Sequence, residues 1–150
     1  MNPSQPGQSG AGREAESIAD FVFLATRSCL LNLSPKLSEQ KISYPQFFLL
    51  IYLAHENYLT MSSIARKMGH STAAATGLVD RMEKLKFAER VHAAEDRRKI
   101  LVRISDKGRR LVESMRGHVA LELEQMNRDG DEDLSISLGA ARQAARKYSG

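Results

Sequence analysis

Apolar and polar positions alternate along this chain with a period that changes twice. Ile18, Phe21, Val22, Ala25 and Cys29 recur at three- and four-residue intervals, which predicts a helix with one buried stripe beginning near Ser17. Phe23, Leu24, Leu30 and Leu31 add apolar residues on its other faces, so the helix is expected to be buried on most sides, which in a short chain implies a second subunit. Asn32 to Ile42, with Pro35, is expected to be a connection. Ser43 is placed to cap a second helix, with Pro45 in its first turn, a stripe of Phe48, Leu49, Tyr52 and Leu53, and an end near Asn57.

The next two helices are short. Thr60 caps a predicted helix whose apolar residues Met61, Ile64, Ala65 and Met68 fall at spacing 0, 3, 4, 7, and Gly69 stops it. Ser71 caps another, with Ala75, Leu78, Val79 and Met82 at the same spacing. Two short helices joined by a tight glycine-containing turn predict a helix-turn-helix. From Phe87 the period becomes two. Phe87–His92 and Ile100–Ile104 read as strands, the second with Ile100, Val102 and Ile104 on one face, and 93–99 is a charged hairpin tip. Ser105 then caps a long helix to about Asn127 carrying Leu111, Val112, Met115, Val119, Leu123 and Met126, and a last helix is predicted over 131–148. The expected class is mainly α with a small β-hairpin (α+β). Residues 1–15, rich in Gly, Pro, Ser and Gln, are expected to be a disordered arm.

Composition adds bounds. The 150 residues are 42% hydrophobic, with six Met and no Trp, consistent with one domain and an aliphatic, helix-rich core. The single Cys excludes an internal disulfide and favours a reducing cytoplasm. No run of apolar residues is long enough to span a bilayer, and no secretory signal is visible. Charge is more telling. Residues 60–110 hold thirteen Lys and Arg against six Asp and Glu, a net of +7, while the remainder is −3. A basic module tethered to a slightly acidic remainder suits a polyanion-binding protein.

The module resembles the winged helix-turn-helix of the MarR-type (multiple antibiotic resistance) transcription regulators. The resemblance is carried by Leu59-Thr60, Ile64-Ala65, Thr76, Leu78 to Glu83, Glu89-Arg90, Asp96-Arg97-Arg98, Leu101 to Ser105, and Gly108. It implies N-terminal helices for dimerisation and scaffold (16–58), a DNA-binding module (59–110) and C-terminal dimerisation helices (111–150). Lys86 departs from the pattern: the family usually has Gly where the recognition helix ends, so the helix exit here is expected to differ.

A helix of this kind enters the major groove of duplex DNA. With the 75, 78, 79, 82 face turned inward, Ser71, Thr72, Ala73, Thr76 and Gly77 face outward as candidates for base and phosphate contact. They lack long polar side chains, which points to modest direct readout and a larger share from DNA shape. The alanine run has a second reading, simple helix propensity. The resemblance implies that the wing places an Arg in the minor groove and that an Asp beside it orients that Arg, which assigns Asp96, with Arg98 favoured for the groove and Arg97 for phosphate. Ser62, Ser63, Arg81, Arg90 and Lys99 complete the candidate DNA-binding set, and Arg66, Lys67, Lys84 and Lys86 are further phosphate candidates.

One helix-turn-helix reads few bases, so a homodimer on a palindromic operator is expected, most naturally as a repressor. Family members often respond to small aromatic or phenolic compounds. Phe21, Phe47, Phe48, Tyr52, His55 and Tyr58 are the candidates to line such a cavity, or else are ordinary core. Cys29 is either a buried structural thiol or a peroxide sensor, since some members sense peroxides near the first helix. The four His lack ligand spacing, so no metal is expected. No Gly-rich phosphate loop or nucleophile elbow occurs, so no cofactor and no enzyme activity are expected. The competing readings are a weakly specific architectural DNA binder and a winged helix that binds protein.

Overall fold

The computed structural model describes residues 10–128. Five helices and three strands follow in the order α1 Gly10–Glu39, α2 Tyr44–Glu56, β1 Tyr58–Thr60, α3 Met61–Met68, α4 Thr72–Lys84, β2 Ala88–His92, β3 Ile100–Ile104 and α5 Asp106–Arg128. They fall into two compact units. One comprises the chain up to Asn32 together with the chain from Val119 onward, the other Leu33–His118. The helix expected over 131–148 lies outside the described residues.

Leu33–His118 holds the core. Leu49, Leu50, Leu53, Ile64, Val79, Met82, Phe87, Val102 and Met115 are fully buried. Thr60 caps α3, its side chain accepting from the Ser63 N–H at 3.1 Å. Gly69, at φ +63°, ends α3 in the left-handed conformation that Gly adopts without penalty, and the His70 N–H reaches back to the Ala65 carbonyl at 2.9 Å. Ser71 caps α4 through the Ala74 N–H at 3.2 Å. Ser105 caps α5 through the Gly108 N–H at 3.1 Å. The predicted stripes of α3 and α4 face inward, with Ala75, Val79 and Met82 buried and Leu78 half-buried.

Four expectations need correction. Helix α1 starts at Gly10, inside the segment expected to be an unstructured arm, and runs through Pro35 to Glu39. Arg13, Glu14 and Ala15 are good helix formers, and extending an existing helix costs far less than nucleating one. An interior Pro costs about 3 kcal/mol. Leu33 and Leu37, both buried and one turn apart around it, supply the compensating burial. The inward face of α2 is Phe47, Leu49, Leu50 and Leu53; Phe48 and Tyr52 are exposed. The run from Phe47 to Leu53 is entirely apolar, so its periodicity has no phase to read. Third, the hairpin is part of a three-stranded antiparallel sheet in the order β1-β3-β2. Within it, Ile100 is 45% exposed at the outer end of the hairpin, so only Val102 and Ile104 of the expected face are buried.

The fourth concerns Lys86. The exit of α4 takes the glycine-type form: Lys86 sits at φ +62°, and the Phe87 N–H reaches the Met82 carbonyl at 2.9 Å. A non-glycine residue in this region costs about 1 kcal/mol. Phe87, 1% exposed, locks the turn by its burial. Gly108 is demanded by space, because a Cβ there would lie 2.3 Å from the Phe87 carbonyl oxygen. This contact seats the start of α5 on the root of the hairpin.

In the other unit, Phe21 is buried and Ile18, Ala25 and Cys29 are half-buried. Val22, Phe23, Leu24, Leu30 and Leu31 are exposed, a continuous apolar surface along α1. Among the described residues, no helix is long and apolar enough to cross a membrane.

Candidate nucleic-acid interface

The cap at Ser71 and the buried face of α4 fix which side of that helix meets solvent. Thr72, Ala73, Ala74 and Gly77 are exposed and Thr76 is half-buried. A Cβ added at Gly77 would meet nothing within 4 Å, so this surface is open to close approach. The Thr76 hydroxyl donates to the Thr72 carbonyl at 2.9 Å, which leaves its oxygen as an acceptor for an outside donor. Ala74 extends the outward set beyond the sequence-derived candidates; its small side chain gave no signal. At the start of α3, Ser62 is exposed, whereas Ser63 is half-buried against Thr60, with a hydroxyl–hydroxyl distance of 3.0 Å.

The hairpin carries the other half of the surface. The Ala93 N–H donates to the Lys99 carbonyl at 2.9 Å and closes the tip, and the Lys99 N–H donates to the Asp96 carbonyl at 3.0 Å. The Asp96 carboxylate accepts from the backbone N–H of Arg98 at 2.9 Å. Asp96 thus meets Arg98 through its backbone N–H, a bond that shapes the turn, the usual local habit of Asp in loops. His92 Nδ1 bonds the Arg97 carbonyl at 2.8 Å, anchoring the tip from below. Arg97, Arg98 and Lys99 are exposed, and among the described residues no ion pair engages them. Arg81 is likewise exposed on α4 and, among the described residues, takes part in no ion pair.

Arg90 is different. Expected on the phosphate-contacting surface, it is engaged within the protein. Its backbone N–H donates to Glu83 at 2.8 Å, one guanidinium nitrogen donates to Asp80 at 2.7 Å, and the other pairs with Glu83. Partial burial works against its charge, but the bonds and charges of Asp80 and Glu83 outweigh that and raise its pKa. Sequence reading missed this because the partners lie seven and ten residues away on another element.

The five aromatic candidates within Leu33–His118 do not come together in one cavity. Phe47 is core, its ring 6.5 Å from that of Phe48. Phe48, Tyr52 and His55 are exposed at helical spacing on one face of α2, with Lys67 over the Tyr52 ring at 5.5 Å. Tyr58 lines a polar groove of about 740 Å³ with Glu89, Arg103 and Lys107 among others, and Phe21 belongs to the other unit. The Cys29 thiol is half-buried, and burial together with the Glu122 carboxylate pushes its pKa up, which opposes formation of the reactive thiolate. Among the described residues no cluster of His, Cys, Asp or Glu is placed to hold a metal.

A capped two-helix unit, a hairpin packed beside it and an arginine-bearing tip define a winged helix-turn-helix. The MarR family model matches residues 40–99, from just after α1 to the tip of the hairpin. Over 83 residues it is 37% identical to the HTH-type transcriptional regulator YfiV of Bacillus subtilis, covering 54% of this chain and 52% of YfiV. It is 27% identical to the HTH-type transcriptional repressor MdtR of the same organism, covering 64% of each. The chain thus spans about half to two thirds of the length of these curated relatives. Among solved structures, RV1404 from Mycobacterium tuberculosis superposes with a TM-score of 0.71 at 20% identity, covering 99% of both chains. MepR of S. aureus, solved in complex with DNA, gives a TM-score of 0.62 at 21% identity, covering 83% of this chain and 98% of MepR. These likenesses are to the fold.

Proposed function

We propose that this protein is a DNA-binding transcriptional regulator, most naturally a repressor, acting in the cytoplasm as a homodimer on a palindromic operator and catalysing no reaction. The observation that carries the reading is the arginine-tipped hairpin, with Arg97 and Arg98 exposed and outside any ion pair among the described residues, standing in one module with a capped, outward-facing helix. In this reading Arg98 enters the minor groove and Arg97 and Lys99 meet phosphate. Ser71, Thr72, Ala73, Thr76 and Gly77 approach the major groove, Asp96 holds the tip, and Ser62, Ser63 and Arg81 contact the backbone. The names of the relatives, regulators and repressors, support it. The exposed apolar surface of α1 supports the dimer, whose two recognition helices would meet half-sites about 34–36 Å apart.

One observation favours a second reading, a weakly specific architectural binder: the outward face of α4 offers small neutral side chains and no bidentate base reader. Selection of bound sites from random duplexes separates the two. An enriched inverted repeat bound by two chains supports the regulator, and recovery of unselected sequence supports the alternative. A phenolic acid added to the operator complex tests effector response, for which Phe48, Tyr52 and His55 offer an exposed aromatic face. Unchanged affinity at saturation would remove that part of the proposal.

A further inference from the structure

Asp80 continues the outward stripe of α4, three residues beyond Gly77 and four beyond Thr76, and Glu83 follows three residues later. Two carboxylates on a helix offered to a polyanion are a liability, since each would repel phosphate. Arg90, on β2, reaches across to both: it donates to Asp80 at 2.7 Å and pairs with Glu83, whose other oxygen accepts the Arg90 backbone N–H at 2.8 Å. Its guanidinium donors point back into the protein, and its side chain is only 26% exposed.

We propose that Arg90 is a positioning residue that engages and partly offsets Asp80 and Glu83 and ties the recognition helix to the root of the wing, rather than a phosphate contact. The inference rests on the DNA-binding reading above. The fork is bidentate across two elements, so it sets the distance between the two parts that would grip the duplex as well as cancelling charge. The module's thirteen basic residues therefore overstate the cations free to meet DNA, because this one is already committed.

The test compares the full chain with R90Q and with the triple variant D80N/E83Q/R90Q. Each is titrated with a duplex selected from random DNA at several KCl concentrations. R90Q leaves both carboxylates uncompensated and is expected to weaken binding by roughly tenfold, in line with coupling within one ion-pair network. The triple variant has no such carboxylates, and its amides can replace the network. It is expected to recover most of that loss with a salt slope no shallower than wild type, although it lacks the arginine. Weak binding by the triple variant with a slope shallower by about 0.9, the signature of a lost phosphate contact, overturns the inference. If R90Q does not fold, as judged by its circular dichroism, the wild-type and triple-variant slopes still decide. A wild-type chain that ignores duplex overturns both this inference and the DNA-binding reading; a binding wild type with an unrescued triple variant overturns this inference alone.

Discussion

Arg90 and Arg103 stand on the strands of the hairpin, and Arg97 and Arg98 stand at its tip. The strand arginines are each taken up by carboxylates, Asp80 and Glu83 for the first and Glu89 for the second at 2.6 Å. Glu89, and then Tyr58, raise the pKa of Arg103. No ion pair engages the tip arginines among the described residues. Four arginines within fourteen residues thus divide by position. Register sets Arg103 opposite Glu89 on the sheet and Arg90 beside the end of α4, whereas at the tip the Asp96 carboxylate is taken up by the Arg98 backbone N–H rather than by a guanidinium. Other cations of the module are also committed: Lys67 pairs with Glu56, and Lys107 donates to the Leu85 carbonyl at 2.9 Å while lying over the Phe87 ring. Counting basic residues locates a polyanion-binding module, but the count of contacts depends on which cations remain unspent.

The contrast can be broken at several points. The paired set depends on a seated α4. Met82, fully buried beneath Asp80 and Glu83, is the anchor, and Met82→Ala is expected to lower stability by about 2–5 kcal/mol in a denaturant titration. A cost below about 1 kcal/mol would show that the helix is held by something else. At the tip, Arg98→Ala is expected to leave the denaturation midpoint in place and to weaken operator binding by about 1–3 kcal/mol. Wild-type affinity in that variant would falsify the wing assignment.

Lys86→Gly should raise stability by about 0.5–1 kcal/mol, because Gly occupies φ +62° without strain. A fall in stability would mean that the lysine side chain contributes more than its backbone costs. The smallest effect is expected for Arg103→Gln. Its pair with Glu89 is exposed and screened, so thermal midpoint and operator affinity should both stay within measurement scatter. A marked loss of affinity would move Arg103 into the set that meets DNA.

Much of this module was legible in sequence because its signals are local. Thr60, Gly69, Ser71 and Ser105 act on backbone groups within a few residues, and the inward stripes of α3 and α4 recur at helical spacing between polar positions. Where local information was absent, the reading drifted. The apolar run in α2 carries no phase, so the sequence pattern puts Phe48 and Tyr52 on the buried stripe and leaves Phe47 and Leu50 off it. Strand β1 has three residues, too few for alternation to register, and exists through its pairing with β3. Pro35 argued locally for a break that the burial of Leu33 and Leu37 overrides.

The sequence by itself determined the class of the module, its helix caps, the position of its hairpin and the concentration of charge between Thr60 and Arg110, because caps, periodicity and turn chemistry act over a few residues of chain. Only the tertiary structure decided which arginines are free, which face of α2 is core, and that Lys86 adopts a glycine's conformation. Those outcomes depend on groups distant in sequence meeting in space: a guanidinium finding two carboxylates on another element, or the burial of Phe87 outweighing the strain of the residue before it.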